Sequence, residues 1–88
     1  MDAKQIIGWN LRQLRVERGL SQERLALDAQ IDRSYVGRVE RGMENVTVST
    51  LEAMAIVLGV PVGALFAEPN TNDAKPTGLK AGRKPKRS

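Results

Sequence analysis

The chain predicts an all-α fold, a compact bundle of five short helices, and three observations carry that expectation. Apolar residues recur at three- and four-residue spacing rather than alternating. Ser21, Asp32 and Thr47 stand where helix starts need a side-chain acceptor, and Gly19, Gly42 and Gly59 stand where helices stop. The 88 residues allow one small domain. Such a domain buries little core, so short helices in close contact, in one chain or a dimer, are the economical solution.

The first helix is expected from Ala3 to Arg18, with Ile7, Leu11 and Leu14 as its apolar stripe and Trp9 off that stripe. Gly19 ends it and Leu20 packs beneath. Ser21 starts the second helix, which places Leu25, Ala26 and Ala29 on one face. Gln30-Ile31-Asp32 breaks the period: Ile31 plugs the turn and Asp32 caps a third helix, Arg33 to about Arg41, stopped by Gly42. In that helix Val36 and Val39 point inward, whereas Arg33, Ser34, Gly37 and Arg38 point outward. Residues 43–47 form a loop. A fourth helix, Val48 to Leu58, turns Leu51, Met54, Ala55 and Leu58 inward, and Pro61 opens a short fifth helix reaching about Phe66.

Residues 1–67 therefore read as the folded domain and 68–88 as a disordered basic tail. From Glu68 onward Pro, Gly, Asn, Thr and Lys dominate and Leu79 is the only large apolar residue, too little to offset the entropy of ordering. Charge divides at the same boundary. Up to Phe66 basic and acidic side chains balance. The net charge of +4 comes from Lys75, Lys80, Arg83, Lys84, Lys86 and Arg87 set against Glu68 and Asp73. Any polyanion bound by the domain must meet locally placed arginines rather than a large net field.

Composition removes several functions. The chain has no cysteine and no histidine, so it lacks thiolate ligands, the commonest general base and the commonest metal ligand. No paired-acid or glycine-rich phosphate motif supports an enzyme, and no cofactor or metal is expected. No run of about 18 apolar residues suggests a membrane span. The start, MDAKQIIGWN, lacks the apolar core of a signal peptide, so a cytoplasmic protein is expected.

The second and third helices, joined by a tight turn, form a helix-turn-helix whose outer face is polar and basic. Residues 4 to 66 resemble a phage-repressor/Cro-type domain of the xenobiotic-response-element class. Arg15, Gly19-Leu20-Ser21-Gln22, Leu25-Ala26, Ser34-Tyr35-Val36, Glu40-Arg41-Gly42 and the set Leu51, Met54, Ala55, Leu58, Gly59, Val60 carry the resemblance. Gln30 stands where the family commonly has glycine, and Val46-Thr47 where Pro-Ser is usual. Arg33-Ser34-Tyr35-Val36, with Glu40-Arg41-Gly42 and Asn45-Val46-Thr47, is most similar to the controller proteins of restriction–modification systems. The resemblance implies a lambda-repressor-like fold and a nucleoid-associated regulator.

Arg33 and Arg38 are the candidate base readers, because an arginine fork matches the two major-groove acceptors of guanine. They lie about 140° apart round the helix, yet long side chains can converge on one groove. Neither is assigned an intramolecular partner, and the bland reading is two solvated arginines. The resemblance adds Ser34 as a base contact. Gln22, with Ser21 beside it, opens a helix whose N–H groups and dipole can seat a phosphate. Tyr35 either places its hydroxyl on a phosphate or is a half-buried ring. By resemblance Arg41 and Asn45 contact phosphates, whereas Glu44 would repel one, and Arg15 and Glu40 form a partly buried salt bridge. Ile56, Val57, Val60, Val62 and Phe66 exceed what one small core needs; they form a dimer interface or else close the chain's own core.

Together these features predict a sequence-specific, homodimeric transcriptional regulator that binds a double-stranded DNA operator. Two recognition helices about 34 Å apart would read successive major grooves. The alternative is an antitoxin-like interaction module whose tail binds a partner protein.

Overall fold

The computed structural model describes residues 1–69. Within them lie four α-helices, α1 (Ala3–Glu17), α2 (Gln22–Ala29), α3 (Arg33–Glu40) and α4 (Val48–Leu58), and a 3₁₀ turn, Val62–Phe66. The domain is all-α, as its periodicity predicts, but its fifth element is a 3₁₀ turn with Pro61 as the residue before it rather than its first. The first and third helices are one residue shorter than expected, with Arg18 and Arg41 at their ends. The tail proper, residues 70–88, lies outside the described residues.

Each helix begins on a side-chain acceptor. Asp2 accepts from the Gln5 N–H at 2.9 Å while the Gln5 side chain accepts from the Asp2 N–H, a reciprocal box. Ser21, Asp32 and Thr47 cap α2, α3 and α4. Each helix is also followed by a residue of positive φ, and the next N–H reaches back five residues: Leu20 to Arg15, Ile31 to Ala26, Met43 to Arg38 and Val60 to Ala55. This closure satisfies carbonyls that the helix leaves unpaired. Three of the four left-handed residues are glycine. The fourth is Gln30, at φ 61° and ψ 43°. The chain keeps the turn geometry there and bears the steric cost of a β-carbon, about 1 kcal/mol.

Leu11, Leu25, Val36, Val39, Met54 and Leu65 are the centre of the core, with Leu20, Ile31 and Leu14 packed at its edge. α1 lies on α3 and on the 3₁₀ turn; α2 lies on α3 and α4. Two contacts fix α1. A β-carbon on Gly8 would sit 2.4 Å from the Val39 carbonyl oxygen and 2.9 Å from that of Glu40, so only glycine lets α1 approach the end of α3 this closely. The Asn10 amide donates to the carbonyls of Leu65 (3.0 Å) and Ala67 (2.7 Å), tying the last element to the first helix. Arg18 Nε donates to the Leu58 carbonyl at 2.5 Å, placing a cation at the negative end of α4.

Candidate nucleic-acid interface

The outer face of α3 and the start of α2 share one concave surface of about 310 Å³, lined by Gln22, Arg33, Ser34, Gly37, Arg38 and Arg41. The Asp32 cap determines where α3 begins and therefore which residues reach this surface. Its carboxylate accepts from the Ser34 hydroxyl and from the Ser34 N–H at 3.1 Å. The hydroxyl bond foremost holds the Asp32 carboxyl below its ordinary range. Arg33 and Ser34 are exposed in the first turn.

Gly37 departs from the outward placement its position on the helix predicts. It is buried, because Arg41 and Gln22 fold over it: a β-carbon there would lie 3.3 Å from Arg41 Nη1 and 3.8 Å from Gln22 Oε1. The absent side chain is what lets two long polar side chains from successive elements lie across α3.

Beneath that surface is an ion pair whose carboxylate accepts from three donors. Arg15 Nε and Nη2 meet Glu40 Oε2 and Oε1 at 2.6 and 3.1 Å, and Arg15 Nη1 donates to the Leu20 carbonyl at 2.8 Å. Gln22 Nε2 also donates to Glu40 Oε1, at 3.0 Å. The Arg15 and Glu40 side chains are only 12% and 4% exposed. One carboxylate thus joins α1, the start of α2 and the end of α3, and it orients Gln22 toward the surface.

Arg38 is paired, contrary to the expectation of an arginine without an intramolecular partner. Its Nε meets Glu44 Oε2 at 2.5 Å, its Nη1 lies 3.4 Å from Ser34 Oγ, and its guanidinium carbon stands 5.8 Å from the centre of the Tyr35 ring. Glu44 holds the Arg38 guanidinium above its ordinary pKa. Tyr35 is half-buried against the core and borders a second concavity with Ile31, Asp32, Arg38, Thr47 and Thr50. Ser21 and Asn45 are exposed, and the Ser21 hydroxyl is engaged as the α2 cap.

The apolar surplus divides. Val57 and Val60 are partly buried against the chain's own core, the second of the two readings open for them. Ile56 is 78% exposed, and Val62 and Phe66 are exposed as well. Ile56, Val60 and Val62 line a shallow hollow with Glu52 and Ala55. Sequence reasoning passed over Gly8, Asn10 and Arg18 and dismissed Glu44. The first three act through contacts distant in sequence, so no local pattern could reveal them.

This geometry defines a class: a helix-turn-helix unit with a solvent-facing third helix, braced from behind by a largely enclosed ion pair. A helix-turn-helix family model matches residues 11–65, and the chain belongs to that family. It is 41% identical over 68 residues to a hypothetical transcription factor of Neisseria meningitidis, covering 77% of this chain and 64% of that one. The matched stretch thus spans less than two thirds of that relative's length. The chain is 45% identical over 66 residues to the control protein C.SmaI of Serratia marcescens, covering 75% of this chain and 79% of the relative. Among solved structures it is similar to the restriction–modification controller protein C.AhdI of Aeromonas hydrophila, with a TM-score of 0.70 and 44% identity over 72% of this chain and 96% of that one.

Proposed function

We propose that the chain is a sequence-specific, double-stranded-DNA-binding transcriptional regulator that works as a homodimer, without enzymatic activity, and that it belongs among the restriction–modification controllers. One observation carries the reading: a single concave surface gathers Gln22, Arg33, Ser34, Arg38 and Arg41 from the two helices of the motif. Similarity to two controller proteins supports the narrower assignment.

In this reading Arg33, Ser34 and Arg38 meet base edges in the major groove. Ser21, Gln22, Tyr35, Arg41 and Asn45 meet phosphates and determine the register of the helix on the duplex. Ile56, Val62 and Phe66 form the apolar centre of a two-fold interface, which would double the number of grooves read.

The test is selection from a random pool of duplexes, followed by the same selection with Arg33→Ala. The unmodified protein is expected to enrich a two-fold symmetric site. The variant should fold normally and lose about 1–3 kcal/mol of discrimination at one base pair of each half-site. Enrichment of no sequence, or unchanged preference in the variant, would refute the assignment.

A further inference from the structure

Arg38 is an arginine of the recognition surface that is held in place, and the group that holds it is acidic. Glu44 lies six positions on, beyond the Gly42 turn, which reverses the chain and returns the loop to the flank of α3. The Glu44 carboxylate takes the Nε edge of the guanidinium. Ser34 stands beside Nη1 and Tyr35 covers one face. A guanidinium has five N–H donors in a rigid fork. With Nε engaged by Glu44, the edge made by the two terminal nitrogens is the part left for a ligand with two acceptors.

From this geometry we infer that Glu44 is a specificity-determining residue: it presents Arg38 to a guanine end-on and opposes binding wherever guanine is absent. The inference rests on the proposed reading of the surface as a duplex-binding face. Two effects act together. Holding Nε lowers the freedom that Arg38 would lose on meeting the O6 and N7 acceptors of guanine, so the correct base costs less ordering. The carboxylate also places a negative charge beside the groove. At a correct site the arginine fork offsets that charge. At an incorrect site Arg38 can turn to a phosphate only by leaving Glu44, which would then face the duplex uncompensated. The effect is discrimination against wrong sites as well as recognition of the right one.

Both charges are partly exposed, Arg38 at 41% and Glu44 at 24%, so the pair is accessible to a ligand rather than locked in the core. Asp32 is the other acid near Arg38, and its carboxylate is already engaged by Ser34. Glu44 is therefore the acid that can respond when Arg38 meets DNA.

The experiment compares the full chain with Glu44→Gln, Glu44→Ala, Arg38→Ala and the double variant Arg38→Ala/Glu44→Ala. Each is titrated with the selected duplex, with the same duplex altered at each position, and with a random duplex, across a series of salt concentrations. Circular dichroism verifies folding. Glu44→Ala should bind the random duplex about tenfold more tightly, with a salt slope steeper by about 0.9 as Arg38 joins a phosphate. It should also lose about tenfold in discrimination at the base pair that Arg38→Ala affects. Glu44→Gln, which keeps an acceptor without the charge, should fall between. In the Arg38→Ala background, removing Glu44 should leave discrimination at that pair unchanged.

Unchanged discrimination in Glu44→Ala would overturn the inference while leaving the duplex-binding reading intact. So would a new preference at a cytosine in Arg38→Ala that disappears in the double variant, since Glu44 would then read a base itself. A wild-type chain with no preference among duplexes would remove both.

Discussion

Arg15 meets Glu40 at 2.6 Å and Arg38 meets Glu44 at 2.5 Å, yet the two pairs occupy opposite conditions. The first is largely enclosed between three helices, and its carboxylate accepts from Arg15 and Gln22 together. The second lies at the solvent edge of α3, in reach of whatever approaches that face. Bond length does not separate them; desolvation does. In the interior, losing one partner strands a charge that water cannot reach. At the surface, water takes the partner's place and the pair contributes little to stability. One pair therefore serves architecture, and the other is available for exchange with a ligand.

That contrast can be broken most directly at Glu40. Glu40→Ala should cost about 3–5 kcal/mol in chemical denaturation, because it leaves Arg15 buried without its carboxylate. A cost below about 1 kcal/mol would make the inner pair equivalent to the outer one. Gly8→Ala tests the same buried side without touching charge. Its methyl group would meet the Val39 carbonyl, and separating α1 from α3 should cost about 1–3 kcal/mol. Gln30→Gly should raise stability by about 0.5–1 kcal/mol by relieving the left-handed glutamine. Since it leaves both pairs in place, duplex preference should not change; a changed preference would mean that this turn helps aim α3. The smallest effect belongs to the outer pair: Glu44→Ala should alter unfolding free energy by less than about 1 kcal/mol even as it alters duplex binding.

What could be read from the residues alone follows the range of the forces involved. Ser21, Asp32 and Thr47 mark helix starts because a cap acts within three residues. Leu51, Met54, Ala55 and Leu58 mark a buried face because helical spacing is local. Gly37 was misread because a missing side chain carries no polarity signal; only the Arg41 and Gln22 side chains above it reveal what the gap is for. The Arg38–Glu44 pair escaped notice because its partners are six apart, a spacing that meets only where the chain has turned at Gly42. Asn10 could not be read at all, since its acceptors lie 55 and 57 positions further along.

The Asn10 contact also bears on how the domain is made. Leu65 fills the centre of the core, and the Asn10 amide secures its carbonyl, so residues near the beginning of the domain wait for residues near its end. A ribosome adds about 5–20 residues each second. Before residue 65 emerges, α1 to α4 can meet one another, but the element that packs on both α1 and α4 is still missing. Closure of the domain therefore follows the emergence of residues 65–67, and a polypeptide that stops at the end of α4 lacks Leu65 and the Asn10 acceptors.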